Sequence, residues 1–167
     1  MIEIHINKYT DIFKEEVIKL ILDIQQQEFN IPIVLEAQPD LKEIPVFYQK
    51  DNGNFWVATS DEIIVGTIAL LDIGNHCGAL RKMFVKAHYR GSKFGVGQAL
   101  LNTVITWAAE KKFNSILLGT TEKFLAAQRF YEKNGFEEIN KSLLPIEFPV
   151  MPVDVKFYKY SVHNTIS

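Results

Sequence analysis

The sequence predicts a mixed α/β fold: a central, mostly antiparallel sheet with one parallel strand pair, flanked by helices. Three observations lead there. An alternating stretch near the start passes into a segment of helical spacing. Two β-rich segments are joined by a short polar turn. Further on, an apolar strand runs through a glycine-rich loop into a long helix and then into another strand. That last order is the crossover that lets two neighbouring strands run parallel, in the right-handed sense.

Each element follows from its pattern. Ile2, Ile4 and Ile6 alternate with Glu3, His5 and Asn7, as in a half-buried strand. Thr10 is a plausible N-cap, with Asp11, Glu15 and Glu16 near the positive end of the helix dipole. Phe13, Val17, Leu20, Ile21 and Ile24 form the apolar stripe of the helix. Pro32 and Pro39 end helical structure by 28–38, and Pro45 breaks 41–49 into one or two turns, with Asp40 and Glu43 resembling a capping pair. Asp51-Asn-Gly53 signals a turn. Phe55 to Thr59 and Ile63 to Leu71 form a hairpin through Ser60-Asp61-Glu62, and 73–78 is a loop.

The chain is organised around 79–101. Leu80 to Val85 reads as a buried strand, Gly91, Gly95 and Gly97 interrupt it, and Leu100, Leu101, Val104, Ile105 and Ala108 then take helical spacing over about 97–112. A strand feeding a glycine-rich turn at a helix start is a place for phosphate. The first-turn N–H groups are free there, the dipole favours negative charge, and glycine leaves no Cβ in the way. Arg90 and Lys93 add positive charge. A dinucleotide fingerprint is set aside, because position 100 is Leu and the next strand ends in Gly119-Thr120 with no acid. The strand at about 114–119 is expected to pair in parallel with about 80–86. A helix from about Phe124 to Asn134 closes at Gly135, and Phe136 to Ile139 is a short strand. Pro145, Pro149 and Pro152 mark an irregular connection, and Val153, Val155, Phe157, Tyr158 and Tyr160 form the last strand.

Composition bounds the function. At 167 residues, 47% hydrophobic and 23% charged, the chain is expected to be one domain over 1–167 with the make-up of an ordinary soluble protein. A net charge of −2 argues against a nucleic-acid partner. Cys77 is the one cysteine, so no internal disulfide and no zinc cluster are expected. No apolar run approaches the roughly 20 residues of a membrane span. The expected setting is cytoplasmic, with no membrane partner and no metal. Oligomeric state is left open, a homodimer included.

Two segments carry a family resemblance. The first is Val85-Lys-Ala-His-Tyr-Arg-Gly-Ser-Lys-Phe-Gly-Val-Gly-Gln-Ala-Leu-Leu101, and the second is Ala127-Gln-Arg-Phe-Tyr-Glu-Lys-Asn-Gly-Phe136. Together, in this order and with one helix and one strand between them, they resemble the GCN5-related N-acetyltransferase family over about 54–140. Two departures stand out: Ser92 holds the position where the family usually has Gln or Arg, in a loop two residues longer, and Phe124 stands where Asn is common.

The resemblance implies acetyl-CoA as cosubstrate, with Arg90, Gly91, Ser92, Lys93, Phe94, Gly95, Val96, Gly97 and Gln98 around its pyrophosphate. It implies that the strand of Met83, Phe84 and Val85 splays from its neighbour, freeing backbone groups for the pantetheine and the thioester carbonyl. It also implies that the Tyr131 hydroxyl faces the sulfur and protonates the leaving thiolate. The implied reaction is acetyl transfer by direct attack of an amine, on a small molecule or a protein. The rival reading is a CoA-binding sensor or interaction module that does no chemistry.

Plainer readings compete at single residues. Met83, Phe84, Val85 and Tyr131 all suit a core. Phe47, Tyr48, Phe55 and Trp56 suit packing better than a pocket, and the four histidines read as surface. Cys77 has no base beside it and reads as a small buried residue. Many relatives place Glu on the central strand as base, but Ala79-Leu80-Arg81-Lys82-Met83 has no carboxylate. Asp72 and Glu28 are the remaining candidates, weighed against proton transfer through ordered water. The acceptor is expected to meet the first helix, the 28–50 segment and the 140–152 connection.

Overall fold

The computed structural model describes residues 3–163. Strand β1 (His5–Lys8) leads through a tight turn at Asp11–Phe13 into helix α1 (Lys14–Leu22). Ile4 and Ile6 pack against the core as the alternation predicts, while Ile2 lies outside the described residues. Val17, Leu20 and Ile21 bury the expected stripe of α1. Thr10 holds the extended conformation of an N-cap, but its side chain caps nothing. Beyond Leu22 the helix widens into a π turn over Asp23–Glu28, which carries Gln25 into the interior. Such insertions into a helix often accompany functional sites.

Two short helices follow, α2 (Pro39–Lys42) and α3 (Ile44–Tyr48), each with proline in its first turn, where a missing N–H costs nothing. Asp40 is not the cap that its spacing to Glu43 suggests. It is buried and accepts a hydrogen bond from the Tyr48 hydroxyl at 2.5 Å. Strands β2 (Asn54–Ser60) and β3 (Ile63–Asp72) form the expected hairpin. Asp61 and Glu62 take φ of 49° and 66°, the pair of left-handed residues that a two-residue hairpin turn needs. Strand β4 (Cys77–Val85), helix α4 (Val96–Glu110), strand β5 (Ser115–Thr120), helix α5 (Leu125–Lys133), strand β6 (Glu137–Ile139) and strand β7 (Lys156–Ser161) complete the order.

Among the described residues these strands form one sheet in the order β1-β2-β3-β4-β5-β7-β6. Every pairing is antiparallel except β4 with β5. Two boundaries differ from the sequence pattern. Residues 77 and 78, which read as loop, begin β4 and with Ala79 make its parallel pairs: Cys77 with Ser115, Gly78 with Ile116 and Ala79 with Leu117. Cys-Gly-Ala has weak strand propensity of its own, and the β5 and β3 neighbours impose the conformation. Conversely, Val153 and Val155 are not in the last strand. A turn holds them back: the Met151 N–H donates to the Asp154 carboxylate at 2.9 Å, and the Asp154 N–H donates to the Met151 carbonyl at 3.0 Å.

The sheet buries both faces. On one, Leu100, Leu101, Val104 and Ala108 of α4 pack with Ile116, Leu118, Tyr131 and Phe136. On the other, Val17, Leu20 and Ile21 of α1 pack with Leu41, Ile44, Tyr48, Phe55 and Val57. The helix α5 ends in a double hydrogen bond: Phe136 N–H donates to Tyr131 O at 3.0 Å and Gly135 N–H to Glu132 O at 3.2 Å, with Gly135 at φ 92°. This closure fixes the last turn of α5, and with it the Tyr131 side chain, against the sheet.

Candidate active site

Strands β4 and β5 part after the Ala79–Leu117 pair. Beyond that point β4 stays with β3, through Thr67–Phe84 and Gly66–Val85, while β5 stays with β7 as far as Thr120–Lys156. The two strands therefore open into a V at the middle of the sheet. On the edge that faces β5, the backbone of 80–85 has no strand partner among the described residues. A bulge at Lys82, with φ 53°, adds to the divergence, and the Lys82 carbonyl accepts from the Thr67 hydroxyl at 2.7 Å.

The V is the floor of a cleft. Residues 80–84 and 118–121 line the floor, with Tyr131 and Phe124 of the α5 region beside it. Gln25, Ile31 and Ile33 wall one side, and Phe148, Met151 and Asp154 the other. The first helix region, the 28–50 segment and the proline-rich connection thus all reach the cleft, as expected for an acceptor site.

Tyr131 is buried, and its hydroxyl donates to the Met83 sulfur at 3.5 Å. A thioether is a weak acceptor. Burial raises the phenol well above its ordinary value, so it stays protonated. The group is a proton donor without a strong partner, set beside the mouth of the V. Met83, Phe84 and Val85 are half-buried, with side chains packed on the core and Phe84 edge-on to Phe124 at 6.3 Å.

The glycine loop runs from Arg90 to the start of α4. Gly95 is the residue before the helix, at φ 65° and ψ 20°, a left-handed conformation that favours glycine. The first N–H to find a helical acceptor is that of Ala99, which donates to Gly95 O at 2.9 Å. No side chain caps this end, so the amides of Val96, Gly97 and Gln98 point outward without one. A Cβ on Gly97 would stand 3.6 Å from Met83 Cε and 3.8 Å from Phe130 Cζ, between the helix start and the V.

The loop's side chains divide. Ser92 and Lys93 are exposed, with the Lys93 ammonium 5.3 Å from the Phe94 ring. Phe94 stacks with His88 and Tyr89, at 5.6 and 5.1 Å. Gln98 turns away and donates to Asn102 and Asn134 at 2.9 and 2.8 Å, leaving only its backbone for the loop. Arg90 is also committed: it grips both carboxylate oxygens of Glu28 and donates from Nε to Val85 O at 2.8 Å. Its charge is matched, so it props the loop against the first helix, and Lys93 is the loop's unpaired cation among the described residues.

The two candidate bases lie elsewhere. Glu28 is the partner of Arg90, and Asp72 accepts from the Asn52 and Gly74 amides at 3.2 and 2.9 Å in a turn; neither lines the cleft. Cys77 is half-buried at the start of β4, and burial raises its thiol, which fits an inert residue.

Sequence reasoning missed the polar residues of the cleft and its back wall. Lys82 is buried, donates to Gln38 Oε1 at 2.5 Å and lies 3.6 Å from Asp40. Gln38 in turn exchanges amide hydrogen bonds with Gln25 at 3.1 and 2.9 Å. Burial pulls the Lys82 ammonium down to about 8, against the pull of Asp40 upward. Arg81 and Asp154 both line the cleft itself. One signal was available: adjacent Arg81 and Lys82 inside an apolar strand cannot both face solvent in regular alternation.

The comparisons with known proteins agree with this geometry. The Acetyltransferase (GNAT) family matches residues 18–136. A crystal structure of an acetyltransferase of the GNAT family from Staphylococcus aureus is 43% identical, superposes with a TM-score of 0.93, and matches 96% of this chain and 100% of that one. PaiA N-acetyltransferase from Thermoplasma acidophilum, solved in complex with coenzyme A, shares the fold at 17% identity and a TM-score of 0.72, over 95% of this chain and 99% of that one. N-acetylaspartate synthetase of Danio rerio is 33% identical over 105 residues, which are 62% of this chain and 36% of the relative. The chain thus spans just over a third of that relative's length. The chain belongs to the GNAT family of acetyltransferases.

Proposed function

We propose that this chain, as one domain over 1–167, transfers an acetyl group from acetyl-CoA to an amine by direct attack. The observation that carries the reading is the V between β4 and β5 with the Tyr131 hydroxyl at its mouth. Backbone groups of Met83 to Val85 that lack a strand partner are suited to pair with an extended pantetheine arm and to polarise the thioester carbonyl. The uncapped amides of Val96, Gly97 and Gln98, with Gly91 to Gly95 leading in and Lys93 nearby, are suited to the pyrophosphate. Arg90 serves by holding the loop to Glu28.

In the reaction the amine nitrogen attacks the thioester carbon, the proton that nitrogen loses passes to ordered water, and the C–S bond breaks. Tyr131 gives its proton to the leaving thiolate, and water returns one to Tyr131. Burial of the hydroxyl keeps that proton in place until charge builds on sulfur. The printed name of the Danio rerio relative, N-acetylaspartate synthetase, supports a small-molecule acceptor over a protein. A cytoplasmic setting is supported by the single cysteine, and no helix of the described residues is long and apolar enough to cross a membrane.

The test is release of CoA from acetyl-CoA with a panel of amines, alongside acetyl-CoA affinity by calorimetry. Turnover with at least one amine is expected. Tight binding with no turnover on any of them would favour the sensor reading.

A further inference from the structure

The cleft carries three charged side chains, Arg81, Lys82 and Asp154. Lys82 is already satisfied: Asp40 stands 3.6 Å away and Gln38 Oε1 accepts a hydrogen bond from its ammonium. Arg81 and Asp154 have no ionic partner of that kind, although the Arg81 guanidinium lies over the Tyr48 ring at 6.0 Å. Neither forms an ion pair within 4.0 Å among the described residues, with each other or with any other group. The guanidinium touches the Met151 sulfur at 3.5 Å, and the carboxylate accepts the Met151 N–H at 2.9 Å. Met151 thus stands between two opposite charges that do not close on one another.

Their placement matters. Arg81 rises from β4, one side of the V. Asp154 is seated against β5, the other side: a Cβ on Gly119 would come within 2.7 Å of its Oδ2, so glycine is what lets the carboxylate sit there. A guanidinium has five donors in a planar fork that fits a carboxylate with two parallel hydrogen bonds. A carboxylate with one amide donor has lone pairs left for an ammonium or amine. Burial raises Asp154 from its ordinary value, against the downward pull of the Met151 amide and of the Arg81, Lys82 and Lys141 charges.

We propose that the acceptor is an amino acid, its carboxylate held by Arg81 and its amine by Asp154, across the V. This rests on the acetyl-transfer reading above and names its substrate class. The charge balance selects it. With Lys82 and Asp40 cancelling, the remaining pair is one positive and one negative group, and a zwitterion completes both. A simple alkylamine leaves Arg81 unmatched. A diamine brings a second positive charge toward Arg81 and Lys82. The apolar walls of Ile31, Ile33 and Phe148 would then meet the side chain.

The experiment compares the proteinogenic L-amino acids with the amines that decarboxylation of each would give, at fixed acetyl-CoA, reading CoA release as kcat/KM. For at least one pair the amino acid should exceed its decarboxylated amine by about 100-fold or more. Arg81→Gln should remove most of that preference by raising KM for the amino acid, while acetyl-CoA affinity by calorimetry stays within about threefold. Asp154→Asn should raise KM for the amino acid and the amine alike. Equal or better turnover of the decarboxylated amines overturns the inference and leaves acetyl transfer standing. A preference that survives intact in Arg81→Gln also overturns it. Acetyl-CoA binding with no turnover on any member of either set overturns it together with the catalytic reading, whereas failure to bind acetyl-CoA strikes the site itself.

Discussion

Tyr131 was legible because it sits in a spaced pattern with Ala127 and Gly135, and the structure adds what the pattern lacks: a buried hydroxyl whose partner is only a thioether. Replacing it with Phe removes that contact and little else. Tyr131→Phe should lower kcat on the true acceptor about 100-fold or more while acetyl-CoA affinity holds. Parent-level turnover in stopped-flow or steady-state assays would make Tyr131 a core residue alone. Asp72 and Glu28 are expected to be spectators in proton transfer, because one holds a turn and the other holds Arg90. Asp72→Asn and Glu28→Gln should each reduce kcat less than tenfold, and the rate should climb with pH toward the acceptor's own pKa. A hundredfold loss in either, with an ionisation gone from the rate profile, would mark that residue as the base. Asp154 was not legible at this scale, since it stands between Val153 and Val155, which read as the start of the last strand, whereas a turn closed on Met151 places it at the cleft.

At the scale of elements, the strand–loop–helix from β4 to α4 was readable because glycine spacing and helical spacing meet there, and Gly95 indeed takes a left-handed turn into the helix. Gly97 has a different reason from Gly95. A side chain there would fill the space between the helix start, Met83 and Phe130 with only ordinary contacts, so the protein would still fold. Gly97→Val should therefore weaken acetyl-CoA binding at least tenfold, about 1.4 kcal/mol, with the melting temperature little changed. Unchanged affinity by calorimetry would put the cofactor elsewhere. Boundaries were harder to read than elements. Cys77 to Ala79 is strand only because β5 lies alongside, and Val153 and Val155 are kept out of β7 by the Asp154 turn. The π turn after α1 continues a helical pattern without changing it, so nothing local announces that Gln25 is carried inward.

For the whole molecule, the mostly antiparallel sheet with one parallel pair followed from the order of elements, whereas the insertion of β7 between β5 and β6 did not. That placement depends on which edge the last strand finds, a tertiary choice with no local signature. The buried Lys82–Asp40–Tyr48 cluster ties the sheet to α2 and α3 and links stability to pH. Lys82 is pulled to about 8 when folded, below its ordinary 10.5, so the unfolded chain holds more protons between those values. Its burial penalty is present below that window and is relieved as pH rises through it. Denaturant midpoints should show the parent gaining stability relative to Lys82→Met from pH 8 toward 10; a constant difference would mean that Lys82 titrates normally.

Chemistry at the V between β4 and β5 is put to the test by CoA release with the parent protein and with Tyr131→Phe, measured beside acetyl-CoA affinity for both. Turnover by the parent on at least one amine is expected, with a fall of about 100-fold or more in the Phe variant and matching affinities. Equal affinities with no turnover by the parent on any amine would contradict it and leave a protein that binds CoA without acting on it.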